Sequence, residues 1–241
     1  MPVVSETPRI FSIEGNVGSG KSTFVDHLKN WYSRFGGITK IVFLKEPVNT
    51  WTSIADKNGE NIIEKFYKDQ KKYAFSFQMM AYISRLACLK EAVEKNPNAI
   101  IVTERSLYTD REVFAKMLYD DGMIEEVDYK IYLKWFDHFC KDYPLEGIIY
   151  LNTDYSICCE RVEKRDRKGE DEISKEYLAN CATYHNKWIY ESCFEKNILE
   201  INANKEMSES TFKEWSIEFH KFITRPTNIT AHSKYHYSNC I

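Results

Sequence analysis

The stretch "FSIEGNVGSGKST", residues 11–23, leads from an apolar segment through Gly15-x-x-x-x-Gly20-Lys21-Ser22 into a run that reads as a helix. A glycine-rich turn between a strand and a helix, closed by Lys-Ser, is the P-loop pattern in the context it needs. Backbone N–H groups of Gly15, Asn16, Val17, Gly18, Ser19 and Gly20 can converge on an anion at a helix N-terminus, where the helix dipole is also favourable. The Lys21 ammonium suits the β and γ phosphates, the Ser22 hydroxyl suits Mg²⁺, and Thr23 follows in the first helical turn. The chemistry predicted is that of a bound nucleoside triphosphate, with a purine triphosphate, ATP, as the working donor. The acceptor is left open by this stretch.

Further groups are candidates for the other half of a transfer reaction. In "FLKEPVNTW", Glu46 follows an apolar run, and Pro47 biases it toward an extended conformation that projects it into a cleft. A carboxylate there could accept the proton of an attacking hydroxyl while a γ phosphoryl group moves, the bland alternative being a solvated loop acid. "TERSLYTDR" adds Glu104, a candidate Mg²⁺ partner directly or through water, and Arg105, a cation able to hold either Glu46 or the acceptor hydroxyl. "RVEKRDRKGED" sets Arg161 and Arg165 on one helical face with Arg167 just beyond. That segment is either a lid whose guanidinium forks clamp phosphate or an exposed charged helix. Within the apolar stretch 72–96, Gln78 and Arg85 lie seven residues apart and so nearly share a face. Polar groups on an apolar stripe need partners, and a Gln amide can pair with a base edge. Phe77, Tyr67 and Trp51 can stack on a ring, bind a sugar hydroxyl or simply pack in the core.

These residues need a scaffold, and the chain offers five short apolar, β-rich runs at 9–13, 40–44, 99–103, 147–151 and 197–201, separated by helical segments that include 72–96, 129–143 and 156–165. Alternation of this kind predicts an α/β fold with a doubly wound parallel sheet, whose ligands sit beyond the carboxyl ends of the strands. Glu14, Glu46, Glu104 and Arg105 fall at such ends. Residues 49–61 read as a turn-rich connection, and 224–241 as a mobile tail behind one domain, 1–223. A net charge of -3 among 241 residues gives no basic field for nucleic acid, which points to a small-molecule partner. Seven cysteines without a C-x-x-C suggest neither a zinc site nor a disulfide framework, and fit free thiols in a reducing compartment. With no apolar run of about 18 residues and no basic-then-apolar leader, the expectation is a cytoplasmic protein without a membrane partner.

Taken together, "IEGNVGSGKST", "EPVNTW", "YAFSFQMMAYISRL", "ERSLYTDR", "GIIYL" and "RVEKRDRKGEDEISKEYL" make the chain resemble the deoxyribonucleoside kinases of the deoxycytidine, deoxyguanosine and insect multisubstrate type, over roughly residues 9 to 202. The resemblance implies a P-loop kinase fold with a five-stranded parallel sheet, surrounding helices and an Arg-rich lid, and usually a homodimer. It implies Mg²⁺-dependent transfer of the γ-phosphate of ATP to a deoxynucleoside 5'-hydroxyl, in nucleotide salvage. It assigns Glu46 as general base, Arg105 as its orienting cation and Glu104 to the metal. It assigns Gln78 to the base, Tyr67 and Glu170 to the 3'-hydroxyl, and Arg161, Arg165 and Arg167 to the lid. Arg85 and Asp110 match the charged pair of the deoxycytidine and deoxyguanosine kinases, where thymidine-accepting relatives are uncharged, so deoxycytidine and purine deoxynucleosides are expected ahead of thymidine. The short connection from Trp51 to Tyr67 resembles the insect enzyme instead and leaves a broad, thymidine-accepting enzyme as the alternative. A nucleoside monophosphate kinase would need cations where Glu46 stands, and a regulatory GTPase would need an N-K-x-D motif, which does not occur.

Overall fold

The computed structural model describes residues 9–37, 39–165, 173–191, 197–205 and 207–226. Five strands, β1 (Arg9–Glu14), β2 (Ile41–Leu44), β3 (Ile100–Glu104), β4 (Gly147–Asn152) and β5 (Ile198–Asn202), form a sheet in the order β2-β3-β1-β4-β5. Every neighbouring pair is parallel. The expected α/β class and the five strands are therefore present, and the apolar runs of the sequence are explained by burial on both faces. Alternate residues point to opposite sides. Ile10, Ile101 and Ile148 pack with Tyr82, Tyr132, Phe136 and Trp188 on one face, while Phe11, Val102 and Ile149 pack with Phe24, Leu28, Trp215 and Phe219 on the other.

The first face is covered by α4 (Gln70–Lys95), α7 (Glu126–Cys140) and α9 (Lys175–Glu191), the second by α1 (Lys21–Phe35) and α10 (Glu209–Thr224). Each large side chain so enclosed contributes on the order of 1.5–3 kcal/mol. Parallel register sets the functional ends level. Ile13 pairs with Glu104 and Glu14 with Tyr150, and Arg105 N–H donates to Ile13 O at 3.0 Å, extending the ladder one residue past β3.

One expectation needs correction. Residues 49–61 are not turn throughout, because α2 (Val48–Ser53) fills the first part. Pro47 sits at its start with φ -79°, its carbonyl accepts from the N–H groups of Thr50 and Trp51, and the buried Trp51 pins the turn to the core. Only the following stretch is a turn, closed by the Ala55–Asn61 bridge and leading into α3 (Ile62–Lys68). At the other end, α10 closes at Thr224, where the tail is expected to start; residues 227–241 lie outside the described residues. After β3 the chain runs through α5 (Leu107–Thr109), a π-helical turn (Asp110–Ala115) and α6 (Lys116–Asp120). After β4 it enters α8 (Tyr155–Arg165).

Candidate active site

A cavity of about 880 Å³ opens where β1, β2 and β3 end. The P-loop forms its floor. Gly15 has φ +145°, and a Cβ there would meet Leu151 O at 2.8 Å; at Gly20, φ +97°, it would meet the Met207 methyl at 1.8 Å. Gly15 thus demands glycine for conformation and for space, because the atom in the way is backbone, whereas at Gly20 the flexible end of Met207 could move aside and it is the positive φ that favours glycine. Val17, Gly18, Gly20, Lys21, Ser22 and Thr23 line the cavity, whereas Gly15, Asn16 and Ser19 stand behind it. Asn16 has a structural task there, since its side-chain amide donates to Leu178 O at 2.8 Å and ties the loop to α9. Lys21 Nζ donates to Gly15 O at 2.9 Å and Asn16 O at 2.6 Å. Burial, and then the like charge of Arg105, brings its pKa down to about 7 against the pull of Glu46 and Glu104. Ser22 Oγ donates to Glu104 Oε1, so the hydroxyl after the P-loop lysine and the last carboxylate of β3 meet at the rim.

Glu46 stands across the cavity, fixed by two buried arginines on one oxygen. Arg105 Nη1 donates to Oε1 at 2.7 Å and Arg85 Nη2 to the same Oε1 at 3.1 Å. Burial works to raise the Glu46 pKa, but Arg105, Arg85 and Lys21 outweigh it and hold the carboxyl at about 2. Arg105 has φ +60°, one of two non-glycine residues with positive φ among the described residues. Such a conformation costs on the order of 1–3 kcal/mol and clusters at functional sites. Its guanidinium also lies over the Phe114 ring at 4.9 Å, a contact the sequence reading did not foresee.

The far end of the cavity is built on α4, which brings Phe77, Gln78, Ala81 and Arg85 to the lining. Arg85 meets Asp110 as a fork, Nε to Oδ2 at 2.9 Å and Nη2 to Oδ1 at 3.3 Å. Burial pushes the Asp110 carboxyl up while the Arg85 guanidinium pulls it down, the net direction being up. Trp51, edge-on to Phe77 at 5.7 Å, donates its indole N–H to Ser84 Oγ at 2.8 Å. Phe66 stacks on Phe77 at 4.7 Å, and Tyr67 lies edge-on to Tyr177 of α9 at 6.0 Å. Tyr177 was not foreseen as a wall residue; nothing in "KEYLANC" distinguishes it from a core aromatic. Arg161 and Arg165 line the opening. Arg161 donates to Ser19 O at 3.3 Å and Ala203 O at 3.0 Å, bracing α8 against the P-loop and the end of β5. Arg167 and Glu170 lie outside the described residues.

The floor, Glu46 and the α4 wall thus share one cavity, with the P-loop at one end and an aromatic slot closed by Arg85 and Asp110 at the other. Comparison with known proteins gives the family. The family model described as deoxynucleoside kinase matches residues 11–224. The probable deoxycytidine kinase of fowlpox virus (strain NVSL) is 34% identical over 219 residues, covering 88% of this chain and 86% of that protein. Deoxycytidine kinase 2 of Gallus gallus is 33% identical, covering 86% of each. The mitochondrial deoxyguanosine kinase of Xenopus laevis is 31% identical, covering 74% of this chain and 72% of its own. With a match that spans β1 to α10, the chain belongs to the deoxynucleoside kinase family and is a deoxynucleoside kinase.

Proposed function

We propose that this enzyme transfers the γ-phosphate of ATP, or of another nucleoside triphosphate, to the 5'-hydroxyl of deoxycytidine, deoxyadenosine or deoxyguanosine in preference to thymidine, supplying deoxynucleoside monophosphates in salvage. The observation that carries this reading is Glu46, ionised and pinned on one oxygen by Arg85 and Arg105 in the same cavity as the P-loop. Both arginines donate to Oε1 and no described residue donates to Oε2, which is then available to an acceptor hydroxyl. An anion at this place repels an acceptor phosphate and tolerates a neutral hydroxyl, which favours a nucleoside over a monophosphate.

The residues divide the work as follows. The P-loop N–H groups and Lys21 bind the donor phosphates, Lys21 exchanging its carbonyl partners for phosphate oxygens, and Arg161, Arg165 and Arg167 take up the charge that builds on them. Ser22 and Glu104, two hard oxygen donors already in contact, would hold Mg²⁺ together with phosphate and water; neither is a thiol or imidazole, which fits that ion. The metal's contribution there is to neutralise charge on the β and γ oxygens. Glu46 receives the hydroxyl hydrogen bond, sets the angle of attack and takes the proton. Trp51 and Phe77 flank the base, Gln78 meets its edge, and Tyr67 with Glu170 holds the 3'-hydroxyl. The Arg85–Asp110 pair occupies the end of the slot with charge, where the 5-methyl of thymine would want apolar contact.

One catalytic domain, 1–223, a homodimer and a cytoplasmic location complete the proposal. Exposed Ile83 on α4 and exposed Ile131 and Trp135 on α7 offer an apolar face for a second copy. The buried thiols Cys140, Cys158, Cys159 and Cys181 are free, as a reducing compartment would keep them, and no helix among the described residues is long and apolar enough to cross a membrane. A coupled ADP-release assay over the four deoxynucleosides and their monophosphates tests the reading. Turnover with deoxynucleosides and none with monophosphates is expected. Monophosphate turnover would overturn the acceptor assignment, and thymidine as best substrate would overturn the base preference.

A further inference from the structure

Arg85 does more than close the base slot. Its guanidinium makes four hydrogen bonds in one plane: Nε and Nη2 to the two oxygens of Asp110, Nη1 to Glu104 O at 2.8 Å, and Nη2 again to Glu46 Oε1. Nη2 is therefore shared between the carboxylate at the end of the base slot and the carboxylate that faces the acceptor hydroxyl. The group is rigid and planar, is 5% exposed, and sits on α4 one turn from Ala81 and two from Gln78, in the stripe that lines the cavity. A tilt that relaxes the Asp110 fork, as an ill-fitting base would demand, also moves Nη2 relative to Oε1. The Glu104 carbonyl limits the alternatives, because Nη1 is anchored to the end of β3 beside Arg105.

We infer that Arg85 is a positioning residue for Glu46: through one guanidinium it ties the fit of the base to the orientation of the carboxylate that receives the 5'-hydroxyl. Base identity is then read in the rate of the chemical step as well as in binding. The inference rests on the proposed roles of Glu46 and of the base slot, and its test separates the two.

The test is a mutant cycle on the single-turnover rate of phosphoryl transfer, measured with the full-length enzyme, MgATP and saturating deoxycytidine. Its four corners are wild type, Glu46→Gln, Arg85→Met with Asp110→Ala, and the three changes combined. Removing Arg85 and Asp110 together avoids stranding a lone buried carboxylate. The expected result is a chemical step roughly 10- to 100-fold slower in the Arg85→Met, Asp110→Ala variant even at saturation, the scale for a misplaced reacting group. The same pair of changes should cost less than about twofold when Glu46 is already Gln, because its effect runs through that carboxylate. Arg85→Lys, which keeps charge but cannot fork, should show the same saturating loss and serves if the paired variant does not fold. A saturating rate within twofold of wild type, with only the half-saturation concentration raised, would overturn the inference and leave Arg85 to the base slot alone. Equal losses in both Glu46 backgrounds would overturn it too. If Glu46→Gln itself leaves the rate unchanged, the proposed role of Glu46 fails, and the inference with it.

Discussion

A carboxylate held ionised down to about pH 2 is a weak proton acceptor, and that is compatible with phosphoryl transfer, whose loose transition state asks for little proton removal until late. What Glu46 gains from Arg85 and Arg105 is position, with Oε1 tethered and Oε2, in the proposed role, facing the acceptor. Sugar recognition makes a second claim at this scale. Tyr67→Phe should weaken deoxynucleoside binding by about 1 to 3 kcal/mol, the cost of an unpaired buried polar partner, and leave 2',3'-dideoxy analogues nearly unaffected; equal losses in the dissociation constants of both classes would refute it. Residue chemistry was legible in the sequence where it is local. Gly15 to Ser22 is a contiguous motif, and Pro47 marks Glu46. The contact between Arg85 and Glu46 spans 39 residues and was not foreseen, although both residues were singled out. Nor does "TERSL" reveal the positive φ of Arg105, the first residue past β3.

At the scale of elements, the site depends on how α3 and α4 are started. Asn61 caps α3, accepting from Ile63 N at 2.9 Å and Glu64 N at 3.2 Å, while Glu64 accepts from Asn61 N at 2.8 Å. This capping box holds Phe66 and Tyr67 against the cavity wall. Asn61→Ala should cost about 0.5–2 kcal/mol, or roughly 2–4 °C in Tm per kcal/mol for a chain of this size, by differential scanning calorimetry. An unchanged Tm would mean that α3 does not depend on its cap. The strands were readable because two-sided burial leaves continuous apolar runs, and the long helices because of their length. α2 was missed because six residues give too little periodicity, and its buried anchor, Trp51, reads from sequence as a pocket aromatic. The π-helical turn that begins at Asp110 has no sequence signature at all. It is tertiary, with Asp110 held by Arg85 from α4 at one end and Val113 and Ala115 in the core at the other.

For the molecule as a whole, pH should act through a buried histidine. His185 is fully enclosed, with Nδ1 2.7 Å from Cys181 O and Nε2 without a partner among the described residues. Burial, and then the charge of Arg105, lowers its pKa to about 3. The unfolded chain binds a proton below the ordinary value near 6.5 and the folded chain does not, so stability is full above that value and is lost as pH falls toward 3. Between pH 7 and pH 5 the loss from this group is about 2 kcal/mol, and His185→Gln should remove that part of the slope in denaturant titrations. An identical slope in the variant would show that His185 is not responsible. Assembly is testable by light scattering, where twice the chain mass is expected and a monomer would contradict the proposed use of the α4 and α7 face.

The proposal that joins all three scales is that the sheet ends bring a donor phosphate and an acceptor hydroxyl together at Glu46. Its most direct test is the single-turnover rate of phosphoryl transfer from MgATP to deoxycytidine in Glu46→Gln, with the deoxycytidine dissociation constant measured alongside. A rate lower by about 10² to 10⁴ with binding nearly intact is predicted, the usual worth of a positioned general base. A rate equal to that of wild type would contradict it.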